Sequence, residues 1–126
     1  MKMALATSHG RMAPCFAGVE LFILDADGCL EDAERVSTHD WHPLCWGRGL
    51  MQRDVQLLLC SGVDLQTWAG LQGHGIQVVP DAMGDPEQVL TAWRGRRLQP
   101  PDSWPAYAGR VGGSPQGGAR RRYRYR

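Results

Sequence analysis

The second half of the chain alternates strand and helix signals, and this alternation restricts the fold more than any other feature. Val55–Cys60 (VQLLLC) is a short apolar run that predicts a buried central strand, and Ser61-Gly62 interrupts it. Asp64 is placed to cap a helix that ends near Gly73. Strands joined through helices pair in parallel and carry the helices on the sheet, so the pattern predicts an α/β protein.

The strand and helix that follow repeat this unit. Ile76–Val79 (IQVV) predicts a short buried strand. Asp85-Pro86-Glu87 predicts a capped helix start with proline at the first helical position, and Gly95 ends that helix. Together the two units predict a parallel part of the sheet covered by helices.

The first half of the chain is richer in strand signals. Three segments predict an antiparallel meander, with Asp27-Gly28 as a turn between the second and third. Pro43 fits the first turn of a helix within residues 40–54, although Gly47 and Gly49 weaken that helix. The predicted order is therefore β-β-β-α-β-α-β-α. The three predicted strands are Lys2–Thr7, Val19–Asp25 and Cys29–Ser37.

Charge divides the chain into two parts. Residues 1–93 hold 5 lysines and arginines against 12 acidic residues, whereas residues 94–126 hold 9 arginines and one aspartate. The periodicity fails after Arg96, and prolines, glycine pairs and arginines follow. We therefore predict one domain over residues 1–98 and a disordered basic tail over residues 99–126.

The sequence lacks the signature motifs of several classes of enzyme. The sequence has no GxSxG, no Walker A loop, no GxGxxG and no HExxH, so nothing in it indicates an enzyme. Asp25 and Asp27 are chemically able to bind magnesium, but two aspartates before a glycine are more often turn formers. Four cysteines without a CxxC pair argue against a disulfide scaffold and a zinc finger. We expect a cytoplasmic protein without a signal peptide or a membrane span.

The loop Ser8–Gly18 carries residues suited to a soft metal or an anionic cluster. His9, Arg11 and Cys15 offer an imidazole, a guanidinium and a thiol within one loop. The competing interpretation places Cys15 in the core as a small hydrophobic residue. The residues alone leave both interpretations open.

Two further segments contain candidate site residues. His42 and Cys45 have a spacing capable of metal binding, or they belong to a surface loop anchored by Trp41. Ser61 and Gly62 follow the predicted central strand, where open α/β sheets place ligands and where backbone amides can meet an anion.

The order and spacing of several motifs carry a family resemblance. These motifs are the opening strand MKMALA, then Gly10–Phe16 (GRMAPCF), Phe22, Leu57–Gly62 (LLLCSG), Gly75–Val78 (GIQV) and Val89–Leu98 (VLTAWRGRRL). Over residues 1–98 the chain resembles the dinitrogenase iron–molybdenum cofactor biosynthesis family, the small domain of NifX, NafY and the C-terminal part of NifB. The resemblance implies a ribonuclease H-like α/β fold with a mixed sheet flanked by helices.

The resemblance also implies a function in metallocofactor biosynthesis or storage, such as nitrogen fixation. Family members look like carriers of anionic metal–sulfur clusters, and the related orange proteins of sulfate reducers hold a molybdenum–copper sulfide cluster. We therefore expect non-catalytic binding or delivery of an Fe–Mo–S, Fe–S or Mo–Cu–S cluster, with cluster donor and acceptor proteins as partners and a homo-oligomer as an open alternative.

The candidate site combines thiol, imidazole, amide and guanidinium groups. It requires the first loop to meet the end of the central strand, and Trp41 and Trp46 either shield it or belong to the core. The predicted ligands are Cys15, His42 and Cys45, and the predicted lining residues are Arg11, Ser61 and Gly62.

Two departures from the family pattern concern this site. Where family members commonly have His-Phe-Gly, this chain has Cys15-Phe16-Ala17, so a thiolate stands where an imidazole is usual. The glycine-rich stretch after the central strand reads Cys60-Ser61-Gly62-Val63-Asp64, and the charge of Asp64 disfavours an anion unless this residue is only a helix cap.

The tail supports a rival hypothesis, in which the chain is an interaction module. Alternating arginine and tyrosine can bind a nucleic acid, by contacting its phosphates and stacking on its bases, or can bind an acidic protein partner. The residues concerned are Arg120, Arg121, Arg122, Arg124 and Arg126. Phosphoryl transfer or nuclease activity is a third class, suggested only by fold analogy.

Overall fold

A single mixed sheet organises the part of the chain that the structure, a computed structural model, describes: residues 1–15, 18–98 and 100. The strand order is β4-β3-β1-β5-β6, and the two-residue strand β2 pairs with β1. The strands are β1 (Lys2–Ser8), β2 (Arg11–Met12), β3 (Glu20–Asp25), β4 (Glu34–Ser37), β5 (Val55–Leu59) and β6 (Gln77–Val79). The helices are α1 (Trp46–Met51), α2 (Leu65–Gly73) and α3 (Pro86–Arg94), with 3-10 turns at Leu30–Asp32 and Pro43–Cys45.

The predicted antiparallel meander is confirmed as β1, β3 and β4. Leu5 lies opposite Phe22 and Leu21 lies opposite Val36. The third strand is shorter than predicted, because the Cys29 thiol donates to an Asp32 carboxylate oxygen at 3.1 Å and the intervening residues form a 3-10 turn. Local hydrogen bonds here replace sheet pairing.

The predicted parallel part of the sheet is also confirmed. Leu59 lies between Leu5 of β1 and Val79 of β6, and β5 runs parallel to both of these strands. The carboxyl ends of β1, β5 and β6 therefore reach one edge of the sheet. We call this edge, with the loops that follow Ser8, Leu59 and Val79, the carboxyl edge.

Side-chain caps fix the starts of α2 and α3 as the sequence predicts. An Asp64 carboxylate oxygen accepts a hydrogen bond of 2.7 Å from the backbone amide of Thr67. Asp85 accepts one of 2.9 Å from the amide of Glu87, and Pro86 takes the first helical position. Each cap contributes about 1 kcal/mol to stability.

The predicted helix within residues 40–54 is a 3-10 turn followed by the six-residue helix α1. Its two glycines allow close packing. A Cβ atom on Gly49 would lie 2.7 Å from the Trp41 indole, and one on Gly47 would overlap the His74 ring. A larger residue at either position requires a neighbour to move. Close packing therefore explains why two glycines, which have low helix propensity, stand in this helix.

Alternation along the strands gives each face of the sheet its own core. On one face, Ala4, Ala6 and Leu58 pack with residues of α1 and α2. On the other, Leu5 and Leu57 pack with residues of α3. Helices therefore cover both faces, as the sequence predicts.

Trp41 and Trp46 belong to the core on the α1 side. The two rings make an edge-to-face contact with centroids 5.5 Å apart, and Trp46 is 1% exposed. The Arg53 guanidinium lies 5.5 Å from the Trp41 ring centroid. Of the two roles that the sequence leaves open for these tryptophans, the structure favours the core role.

None of the helices in residues 1–15, 18–98 and 100 has the length and apolar character needed to cross a bilayer. The predicted basic tail, apart from Pro100, lies outside the described residues, as do Phe16 and Ala17 of the first loop.

Candidate functional site

Three loops are joined by backbone hydrogen bonds at the carboxyl edge. The Cys15 amide donates to the Gly62 carbonyl at 3.0 Å, and the Ser61 amide donates to the Ala13 carbonyl at 3.0 Å. The Met12 amide donates to the Gly84 carbonyl at 2.8 Å, which ties in the loop after β6. The expected meeting of the first loop and the turn after the central strand is therefore present.

The hairpin between β1 and β2 positions Arg11 at this edge. His9 and Gly10 have φ values of 53° and 80°, and Ser8 pairs with Arg11 on either side of them. Two consecutive residues with positive φ are typical of a tight two-residue hairpin turn, which favours glycine at its second position. The turn leaves Arg11 exposed beside the joined loops.

Two buried thiols lie under the joined loops. Cys15 is 8% exposed and Cys60 is fully buried, and both are free cysteines. The Cys60 thiol donates a long hydrogen bond of 3.8 Å to the Val79 carbonyl, and Cys15 and Cys60 belong to the same buried cluster. The competing interpretation of Cys15 as a core residue is thus correct for its burial, and the residue also belongs to a thiol pair.

The surroundings of Cys15 favour its neutral form. Burial raises the pKa of this thiol well above its ordinary value, and interaction with Cys60 and the charge of Asp64 raise it further. Cys15 is therefore a protonated thiol at neutral pH. It is a poor nucleophile and a poor thiolate ligand unless a guest displaces its proton.

Asp64 has both of the effects that the sequence suggests. Its side chain caps α2, and its charge acts on Cys15. Because the carboxylate already accepts the Thr67 amide, part of its charge is offset by the start of the helix.

Ser61 and Gly62 act mainly through the backbone. The Ser61 amide donates to Ala13 and the Gly62 carbonyl accepts from Cys15, so both groups hold the first loop in place. The Ser61 amide is therefore engaged within the protein, whereas the sequence predicts that it is open to an anion. Both residues nevertheless lie at the candidate site.

The structure does not bring His42 and Cys45 into one ligand group with Cys15. His42 Nδ1 accepts the Leu44 amide at 3.1 Å and caps the 3-10 turn, and Cys45 is exposed at the end of that turn. The following helix packs Gly47 against His74, at the end of α2 remote from Asp64. Within residues 1–15, 18–98 and 100, no three or more His, Cys, Asp or Glu side chains form a group that could hold a metal ion.

Asp25 and Asp27 lie in a turn rather than in a metal centre. The Gly28 amide donates to the Asp25 carbonyl at 2.9 Å, and Arg94 donates to the carbonyls of Ala26 and Gly28. Arg94 thereby fastens the end of α3 to this turn. The turn-former interpretation of the two aspartates is supported.

A separate open groove of about 620 Å³ runs along α3. Its lining consists of Asp81, Ala82, Met83, Glu87, Gln88, Val89, Thr91, Ala92, Arg97 and Leu98. The lining contains none of the site residues predicted within the described part of the chain. The predicted tail residues Arg120, Arg121, Arg122, Arg124 and Arg126 lie outside that part.

Comparison with known proteins finds similar structures but no match by sequence. No protein-family model matches the chain, and no curated protein matches it. The apo form of the orange protein from Desulfovibrio gigas superimposes with a TM-score of 0.67 at 19% identity, over 81% of this chain and 93% of that one.

Two further solved structures give similar agreement. A candidate NifB protein from Thermotoga (TM1290), assigned to the DUF35 family, has a TM-score of 0.61 at 19% identity, over 82% of this chain and 95% of that one. A candidate dinitrogenase from Methanocaldococcus jannaschii (MJ0327) has a TM-score of 0.62 at 10% identity, over 82% and 97% of the two chains. The chain therefore has the fold of the NifB-like, orange-protein and dinitrogenase-like structures, as its motifs predict.

Proposed function

We propose that this chain binds an anionic metal–sulfur cluster at the carboxyl edge and does not catalyse a reaction. The observation that carries the proposal is the hydrogen-bonded junction of Ala13–Cys15 with Ser61-Gly62, which gathers two sulfur atoms at the usual ligand edge of an α/β sheet. A fold shared with the orange protein and with NifB-like structures supports the same function.

The count of donor groups favours a preassembled cluster over a bare metal ion. A structural metal ion needs about four protein ligands, and the described residues contain no group of three or more His, Cys, Asp or Glu suited to one. A metal–sulfur cluster brings its own sulfide ligands, so it needs charge complementarity and few protein donors.

Arg11 supplies the positive charge in this account. It is exposed at the hairpin beside the joined loops, in a domain whose charge is otherwise mainly acidic. A guanidinium can donate several hydrogen bonds to an anion without giving up a proton. Cys15 is protonated, so a guest is held first by charge and soft contact, and a bond to its sulfur requires loss of the proton.

The wider role follows from the resemblance described above. We propose a ribonuclease H-like carrier of an Fe–Mo–S, Fe–S or Mo–Cu–S cluster in metallocofactor biosynthesis or storage, as in nitrogen fixation. Such a carrier works in the cytoplasm and exchanges its cargo with donor and acceptor proteins.

Anaerobic reconstitution tests the proposal. The purified chain is incubated with tetrathiomolybdate and Cu(I), desalted, and examined by metal analysis and visible spectroscopy. Retention of molybdenum with a sulfide-to-metal charge-transfer band is the expected result. A colourless protein without bound metal, from a sample that retains its folded circular dichroism spectrum, contradicts the proposal.

A further inference from the structure

The thiol pair Cys15 and Cys60 has chemistry of its own that does not depend on a cluster. The two residues come from distant parts of the sequence, and both are buried. Backbone hydrogen bonds fix the chain around each of them: the Cys15 amide bonds to Gly62, and Ser61, next to Cys60, bonds to Ala13. Both side chains belong to the same buried cluster on one face of the sheet, and interaction with Cys60 is among the causes that raise the pKa of Cys15, so the fold holds two oxidisable sulfur atoms in one place.

We infer that Cys15 and Cys60 form a reversible intramolecular disulfide that locks the first loop onto the end of β5. The other two cysteines offer no equivalent pair. Cys29 and Cys45 are exposed, and the Cys29 thiol is engaged with Asp32. The pairing is therefore specific to the candidate site.

Two reactions can link adjacent thiols, namely binding of a soft metal ion by both thiolates and formation of a disulfide. The charge of the product decides between them. A monovalent soft metal ion bound by two thiolates leaves a net negative charge in an apolar core, close to Asp64. A disulfide is neutral, so burial does not penalise it. The apolar core around the two cysteines therefore opposes a bare-ion dithiolate and tolerates the disulfide.

The oxidant is a small-molecule disulfide such as oxidised glutathione. Cys15, the more exposed of the two, loses its proton and attacks one sulfur of the oxidant, which forms a mixed disulfide and releases one glutathione thiolate. The Cys60 thiolate then attacks the Cys15 sulfur and releases the second glutathione thiolate. The two protons from the cysteines protonate the two thiolates. The cysteine pair is oxidised by two electrons and the oxidant is reduced to two glutathione thiols.

The environment makes the disulfide a slow and selective modification. Cys15 reacts only through its small deprotonated fraction and through opening of the loop, because its thiol is buried and protonated. Intracellular disulfides are usually transient and redox-sensing. Oxidation of the pair also removes both thiols from contact with a bound metal–sulfur cluster. The carboxyl edge can therefore exist in a cluster-bound state and in a disulfide-linked state.

The test starts from the unfolded wild-type chain, in which the thiols are accessible, so that their burial in the folded protein does not decide the result. Reduced, unfolded full-length protein is refolded in glutathione buffers graded from reducing to oxidising. Remaining thiols are alkylated after denaturation, and disulfide-linked peptides are mapped by mass spectrometry. The expected result is a Cys15–Cys60 link in most molecules, formed at a more reducing buffer than any other link and lost after added reductant.

Cysteine variants test whether the link is specific to Cys15 and Cys60. The double variant C29S/C45S keeps the Cys15–Cys60 link and its midpoint buffer ratio. C15S removes the link and leaves the Cys60 thiol open to alkylation after denaturation. Two results overturn the inference: both thiols remain alkylated in the most oxidising buffer, or links spread over all four cysteines without preference. Neither result bears on cluster loading, which is measured separately under reducing conditions.

Discussion

The backbone amide of Cys15 donates a 3.0 Å hydrogen bond to the carbonyl oxygen of Gly62. This bond and its companion from Ser61 to Ala13 connect a loop of the antiparallel half of the sheet to the end of a parallel strand. The sulfur of Cys15 is held by the same connection, so the chemistry of the site depends on the packing of distant parts of the chain.

The raised pKa of Cys15 makes stability depend on pH in the alkaline range. The ordinary value for a thiol is near 9, and burial keeps the folded-state pKa above it. Above about pH 9 the unfolded chain releases this proton while the folded chain keeps it, so the free energy of unfolding falls by at most about 1.4 kcal/mol for each pH unit. Below that range the contribution is fully present.

Urea unfolding of wild type and of C15S between pH 7 and 10 measures this effect. Serine does not titrate in the range, so C15S is expected to lose less stability with rising pH than wild type does. Parallel curves for the two proteins contradict the assigned protonation state.

Asp64 has a capping effect and a charge effect that two substitutions separate. Asn caps helices about as well as Asp, so D64N keeps the start of α2 and removes the charge near Cys15. D64A also loses the cap and is expected to destabilise the protein by about 1 kcal/mol.

Alkylation of Cys15, followed by mass spectrometry at fixed alkaline pH, reads out the charge effect. D64N is expected to react faster than wild type at unchanged urea stability, and added salt is expected to narrow the difference. Equal rates at low salt would mean that the Asp64 charge does not reach the thiol.

Gly49 is required by packing against Trp41. G49A places a Cβ atom 2.7 Å from the indole, which is also in contact with Trp46 and Arg53. We expect a loss of about 1–3 kcal/mol from overpacking. G47A meets the exposed His74 ring, which can turn away, so its loss is expected to be smaller.

G70A provides the matched control for these two variants. Gly70 lies within α2 and a Cβ atom there has no neighbour within 4 Å. Alanine is expected to stabilise the helix by up to about 1 kcal/mol. We expect the urea midpoint to be highest for G70A, followed by wild type, G47A and G49A. A G49A protein as stable as wild type contradicts this prediction.

Local signals in the sequence were sufficient for the caps and for the strand pairing. Asp64 and Asp85 cap the helices that they precede, because capping depends on residues within one turn. The alternation of strands and helices after Val55 predicted the parallel pairing of β5 and β6, because the connections allow little else.

The parts that the sequence did not predict depend on contacts between distant segments. The strand β2 has two residues, too few for a periodic signal. Gly47 and Gly49 weaken helix propensity in the sequence but serve packing in the fold. The pairing of Cys15 with Cys60 has no signature in their spacing, since it follows from how the first loop meets the end of β5.

Arg11 is expected to contribute to cluster retention through its charge. R11Q keeps a polar, uncharged side chain in the exposed hairpin, so stability is expected to stay within about 0.5 kcal/mol of wild type. The amount of bound metal at a limiting cluster concentration is expected to fall several-fold. Arg48 is an exposed arginine on α1, and the variant R48Q serves as the control. We expect R48Q to bind as much metal as wild type does. Equal losses in the two variants would indicate a general charge effect.

Cluster binding at the carboxyl edge is measured as the molybdenum retained per chain after anaerobic reconstitution with tetrathiomolybdate and Cu(I), for wild type and R11Q under reducing conditions. We expect a coloured wild-type protein with stoichiometric metal and a depleted R11Q protein of equal stability. A folded wild-type protein that retains no metal, or that retains it equally after loss of Arg11, contradicts binding of an anionic cluster at this edge.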